Sequence, residues 1–233
     1  MTELKELIAE QFHKDNFLIQ TDDKIAENIA VVYCSSNGVY RNDTVEDFTK
    51  TILQTDNYEW YMTRIPFAKK HIFIRDVAKR FYRFGINDNG LDSIEKVAEM
   101  IKRETDGYKI ITIGSSSGGD TAIVLGKLLN ADYTIAFSPM LKTFKPGVEN
   151  RTIDENLRFD DTEYANSAVP VFYIYPNGSE WDIYNSSLVK DFENVCFLPI
   201  KSDIHGVPVN KRILKNLLEK DKETAYMVDL VSF

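Results

Sequence analysis

A chain of 233 residues, 43% of them hydrophobic, can bury one sizeable α/β core but not two large ones. Its 36 acidic and 28 basic side chains leave a formal charge of −8, which argues against a nucleic-acid partner because phosphate binding needs clustered cations. No apolar run approaches the ~20 residues of a membrane span, and Met1–Glu6 lacks the basic-then-apolar order of a signal peptide, so a cytoplasmic protein with one domain over 1–233 is expected.

Leu4, Leu7, Ile8 and Phe12 recur at helical spacing and predict an amphipathic helix over the first fifteen residues. Phe17–Ile19 reads as a short edge strand. Ile29–Tyr33 is a continuous apolar run of the kind buried on both faces of a parallel sheet. The polar loop Cys34–Gly38 follows it, and a mostly helical segment is expected from Thr44 to about Tyr61. His71–Ile74 is the next strand, and Asp92 with Glu95 forms a capping box for a helix carrying Ile94, Val97, Ala98 and Ile101. Tyr108–Ile113, Tyr133–Phe137, Val169–Tyr175 and Val195–Ile200 read as further strands. Helices are expected over Asp120–Leu129, over Tyr184–Phe192 and after Pro208, with Ile213, Leu214, Leu217 and Leu218 on its apolar side. Pro139–Ala168 is polar and irregular, with room for one short helix. Strands alternating with helices predict an α/β fold, a doubly wound and mostly parallel sheet of six or seven strands. Cys34 and Cys196 sit in or beside strands and read as buried free thiols.

Between the Tyr108–Ile113 strand and its following helix lies Gly114-Ser115-Ser116-Ser117-Gly118, with Gly119 behind it. Strand, G-x-S-x-G, helix is the pattern of a nucleophile elbow, in which a turn too tight for flanking side chains lifts the central serine above the sheet edge. The spacing Gly114 to Gly119 also fits a phosphate loop, but Asp120 stands where a lysine is required, and no dinucleotide glycine pattern follows any strand.

A serine hydroxyl needs a base, and the base needs an orienting acid. Of the three histidines, His13 and His71 precede Ser116, whereas His205 follows the last strand, where the base of a serine–acid–histidine order belongs. For the acid, the loop after Val169–Tyr175 supplies Asp182 as first choice and Glu180 as second; either could equally be a helix N-terminal charge without chemistry. An oxyanion hole would draw on the Ser117 N–H and on the loop after Ile29–Tyr33, through Ser36 or Asn37; an ordinary Ser-Asn-Gly turn explains that loop as well. Arg75, Arg80 and Tyr82, beyond the His71–Ile74 strand, and Trp181 are candidate substrate contacts, although the cations of this stretch could instead pair with the excess acid.

The elbow, the late Asp182 and His205 and the strand order together resemble the α/β-hydrolase superfamily from Ile29 to Leu218. Two departures stand out: the first antiparallel strands of that fold look trimmed, and Pro139–Ala168, where many members carry a helical lid, is short. An open cleft suited to a bulky polar substrate follows. More narrowly, His71–Ile86 followed by I-G-S-S-S-G-G and A-F-S-P is similar to small hydrolase-like proteins of bacterial surface-polysaccharide synthesis, some of which are similar to carbohydrate O-acetyltransferases or esterases. The resemblance implies a serine esterase or O-acyltransferase acting on a small-molecule or glycan acyl ester, with no metal or bound cofactor and with acetyl-CoA as co-substrate if transfer is the reaction. A non-catalytic subunit that binds glycan or protein is the competing expectation.

Overall fold

The computed structural model describes residues 2–143, 157 and 159–206. Strands β1 (Phe17–Thr21), β2 (Ile29–Cys34), β3 (Lys70–Ile74), β4 (Lys109–Ser115), β5 (Tyr133–Phe137), β6 (Val171–Pro176) and β7 (Val195–Ile200) form one sheet ordered β1-β3-β2-β4-β5-β6-β7. Every pairing is parallel except that of the edge strand β1 with β3. The fold is thus the expected α/β arrangement, with a single antiparallel strand remaining at one edge.

The continuous apolar runs form strands because both faces of the sheet are buried, and alternate residues serve different cores. Val31, Tyr33, Phe73, Ile113, Ile135 and Phe137 face one way, against Tyr58, Trp60, Ile65 and Ala68. Val32, Cys34, Ile72 and Ile74 face the other way, against Val97 and Ile101 of α3 (Ile94–Glu104) and Ala122 and Leu125 of α4 (Ser117–Leu129). The amphipathic α1 (Thr2–Phe12) sets Leu4, Leu7, Ile8 and Phe12 against Val39, Tyr40, Phe48 and Ile52, as its spacing requires. Cys34 and Cys196 are free and stand on β2 and β7. Those strands are four sheet steps apart, and at ~4.8 Å per step no disulfide can join them.

Local chemistry moves several boundaries from their expected places. The cap of α3 is Ser93, whose side chain accepts the Lys96 N–H; Asp92 is exposed and instead pairs with Lys96 at 2.6 Å. A Ser179 cap starts α6 at Glu180–Ser187, ahead of the expected Tyr184. In the mostly helical segment expected after Thr44, a single α-turn, α2 (Val45–Phe48), widens over Thr49–Gln54 into bonds of the i+5 type, Thr55 N–H donating to Lys50 O at 3.1 Å. Trp60 is then left-handed at φ 73° and begins a short 3₁₀ turn. A one-turn helix, α5 (Thr162–Ala165), is the short helix allowed for in the otherwise irregular Pro139–Ala168 stretch. The helix expected after Pro208 and residues 144–156 of the lid-like insertion lie outside the described residues. Among the described residues, no helix is long and apolar enough to cross a membrane.

Candidate active site

The carboxyl ends of β2, β4, β5, β6 and β7 open on one edge of the sheet, and the candidate site is built from the loops there. At the end of β4 the chain turns through Ser116 at φ 54° and ψ −121°, a conformation an L side chain avoids unless its surroundings impose it. The turn is held by Ser116 N–H donating to Phe137 O at 2.8 Å, and by Gly119 and Asp120 N–H groups donating back to Ser116 O. Packing explains the glycines: a Cβ on Gly114 would meet the Gly118 carbonyl, and one on Gly118 the Cys34 carbonyl, each well under 3.0 Å.

Two further loops bring in the partners. Ser179 caps α6 and accepts the Asp182 N–H at 3.4 Å, which leaves the Asp182 carboxylate buried beneath the site. The β6 and β7 loops are tied together where Asn177 N–H donates to Ile200 O at 2.8 Å and Gly178 N–H to Ser202 O at 2.9 Å. His205 consequently hangs between the other two groups. Its Nε2 lies 3.0 Å from Ser116 Oγ and its Nδ1 lies 3.0 Å from Asp182 Oδ2. With Nδ1 protonated toward the carboxylate, Nε2 is left as the acceptor facing the hydroxyl. Glu180, the second choice for the acid, is exposed in the first turn of α6.

The loop after β2 is arranged around a group that sequence reasoning missed. Glu59 accepts the Ser36 N–H at 2.6 Å and the Ser36 hydroxyl at 2.9 Å. Burial pushes the Glu59 carboxyl above its ordinary range, while the two bonds from Ser36 pull it back down. Asn37 N–H donates to Ser117 Oγ at 2.8 Å, so both candidate loop amides are engaged with the protein itself. The Ser117 N–H lies in the first turn of α4, ahead of the Gly119 and Asp120 N–H groups that make the first backbone bonds there. No local pattern around Glu59 signals its role, since it reaches Ser36 only through the fold.

The expected substrate contacts divide differently. Arg75 is fully buried, stacks over Tyr58, and holds Asp56 at 2.7 Å and Asn57 O at 2.8 Å. Tyr82 is also buried, and its hydroxyl donates to Ser35 O at 2.8 Å. Neither side chain is available to a substrate in this structure: both serve as scaffold behind the β2 loop. Arg80 lies over Phe12 and Phe84. Asp76 organises this stretch by accepting the N–H groups of Ala78, Arg80 and Tyr82, which stabilises the left-handed Lys79, Phe81 and Tyr82. Trp181, beside Asp182, has a buried indole N–H with no partner among the described residues.

Behind the elbow, Arg83 pairs with Asp161 and stands 3.9 Å from Asp120, lining a cavity of about 130 Å³ with Tyr164. Burial, and then the neighbouring Asp161 charge, push the Asp120 carboxyl well above the ordinary carboxylate range, and Arg83 only partly counteracts this. A carboxyl raised on folding stabilises the protein fully below its unfolded pKa, near ~3.9, and that stabilisation is lost as pH rises through the folded value. Asp120→Asn keeps the neutral form and a donor toward Asp161. Its Tm should match wild type near pH 4 and exceed it at pH 8 by a few degrees, on the order of 1 kcal/mol; parallel melting curves across that range would contradict this assignment.

No family profile and no curated protein sequence matches the chain. Solved structures do. A capsule O-acetyltransferase of Neisseria meningitidis serogroup A aligns over 89% of this chain and 93% of its own, with 13% identity and a TM-score of 0.53. Esterase 2 of Thermogutta terrifontis, phosphonylated by cyclosarin, aligns over 93% and 90%, with 12% identity and a TM-score of 0.54. A Staphylococcus aureus protein of unknown function aligns over 91% and 89%, with 12% identity and a TM-score of 0.51. With its mostly parallel seven-stranded sheet and the tight turn at Ser116 after its central strand, the chain shares the α/β fold of these proteins.

Proposed function

We propose that the protein is a serine esterase or O-acyltransferase. The observation that carries this reading is the continuous contact from Ser116 Oγ through the His205 ring to the buried Asp182 carboxylate, at 3.0 Å on each side. In the proposed reaction Ser116 Oγ attacks an ester carbonyl as its proton passes to His205 Nε2. Asp182 fixes the ring through Nδ1–H and stabilises the imidazolium, while the Ser117 N–H faces the oxyanion. Collapse breaks the ester bond, and His205 returns the proton to the leaving oxygen, or to the leaving sulfur where a thioester is the donor. A water or a sugar hydroxyl then gives its proton to His205, attacks the acyl-serine, and releases Ser116 with its proton restored.

The fold neighbours comprise an esterase and a capsule O-acetyltransferase, which supports an acyl ester as substrate and a glycan hydroxyl as an acceptor; acetyl-CoA would be the donor in transfer. The free thiols Cys34 and Cys196 fit a reducing, cytoplasmic setting. Labelling with a fluorophosphonate probe tests the reading. Wild type should label and Ser116→Ala should not, with labelling strongly slowed in His205→Ala. Folded wild type that stays unlabelled would favour the non-catalytic binding subunit. Ester turnover with and without sugar acceptors separates hydrolysis from transfer.

A further inference from the structure

Ser116 Oγ has a second close neighbour besides His205: the Met140 thioether sulfur, 3.4 Å away. Resting on the acyl-transfer reading above, we propose that Met140 closes the acyl pocket and restricts the transferred group to short chains such as acetyl. Four groups must be placed around the attacked carbon. That carbon carries the serine oxygen, the oxyanion, the leaving oxygen and the acyl substituent. The leaving oxygen must face His205 Nε2, which protonates it, and the oxyanion must face the amide end of α4. The substituent takes the remaining side, and in the proposal that is the side of Met140, 3.4 Å from the nucleophile.

Met140 is held in place by its backbone. Ser138 is left-handed at φ 45°, and its N–H donates to Ile174 O at 2.7 Å. Phe137 O, just before it, receives the elbow's own Ser116 N–H at 2.8 Å. On the far side Leu141 is fully buried, and Lys142 N–H donates to Asn185 Oδ1 at 3.0 Å. The segment is therefore pinned to β6, to the elbow and to α6, so a longer acyl chain cannot gain room by moving the backbone. Met140 itself is half-buried and its unbranched thioether can change rotamer, but the pinned backbone keeps the side chain rooted beside the nucleophile.

The test compares p-nitrophenyl acetate, butyrate, hexanoate and octanoate on wild type, Met140→Ala and Met140→Leu. Wild type should lose about tenfold or more in kcat/KM between acetate and hexanoate, because one or two methylenes misfitted to a pocket cost that much. Met140→Ala should raise the hexanoate-to-acetate ratio by about tenfold or more, and the similarly sized Met140→Leu should keep the wild-type ratio. Labelling rates with ethyl- and octyl-substituted fluorophosphonates give the same comparison if water proves a poor acceptor. An unchanged chain-length ratio in Met140→Ala, with Ser116 still labelled, overturns the role of Met140 alone. Absence of both labelling and turnover in folded wild type overturns the acyl-transfer reading together with it.

Discussion

Ester turnover is expected to fall by about 10⁴- to 10⁶-fold in Ser116→Ala, and His205→Ala should fall nearly as far, because the hydroxyl and imidazole act as one unit. The double variant should then lose almost nothing more. Non-additivity is the sharp part of this expectation, since two independent binding contributions would multiply. Asp182→Asn should cost about 10⁴-fold, as an amide cannot hold the imidazole in the tautomer whose Nε2 is free to accept. Burial of the carboxylate, 1% exposed at 3.0 Å from Nδ1, leaves no room for water to substitute for it. Steady-state kinetics on a short-chain ester, with melting curves to establish that each variant folds, decide the matter. A Ser116→Ala protein that keeps more than about a tenth of wild-type turnover would rule out this serine as the nucleophile.

Gly118→Ala should destabilise the protein by more than about 4 kcal/mol, or prevent folding outright, lowering Tm by about 10 °C or more. In most helix interiors the same change stabilises by ~1 kcal/mol, since alanine is the better helix former. Here the sign reverses because the new methyl would be driven into the Cys34 carbonyl, a backbone atom of β2 that cannot step aside. Gly107→Ala is the control. That glycine is left-handed at φ 76° but has open space around its Cβ direction, so only backbone strain of about 1 kcal/mol is expected. Thermal melts of the two variants separate steric closure at the elbow from conformational strain. Equal and small losses would mean that the elbow is looser than its packing indicates.

Strands were the most legible part of this fold, because a sheet buried on both faces demands unbroken apolar runs such as Ile29–Tyr33 and Tyr133–Phe137. Helix boundaries were less so. Ser93 and Asp92 are both competent caps, and only the path of the chain selects the serine. The segment after Thr44 carries a helical composition, yet Phe48 and Ile52 pack against Val39, Tyr40 and Val77, whereas Tyr58 and the left-handed Trp60 pack against Phe73 and Phe137, far off in sequence. At the site, the Gly-Ser-Gly spacing announces Ser116 because the steric demand is local. The burial of Arg75 and Tyr82 has no local signature, since a loop cation or aromatic looks alike whether it meets solvent or packs inward. Met140 and Glu59 were invisible for a related reason: each reaches the site from a different loop, and no short pattern encodes that meeting.

The contact between Glu59 and the Ser36 amide has a kinetic consequence under the acyl-transfer reading. At 2.6 Å the carboxylate fills the one position from which that amide could stabilise a growing negative oxygen. Catalysis in this resting geometry would lean on the helix amide alone, and one missing donor ordinarily slows such reactions by about 10²- to 10³-fold. Full speed would require Glu59 to swing off the Ser36 amide or the Ser117 hydroxyl to turn off the Asn37 amide, which ties turnover number to the rotamer of a side chain outside the reacting relay.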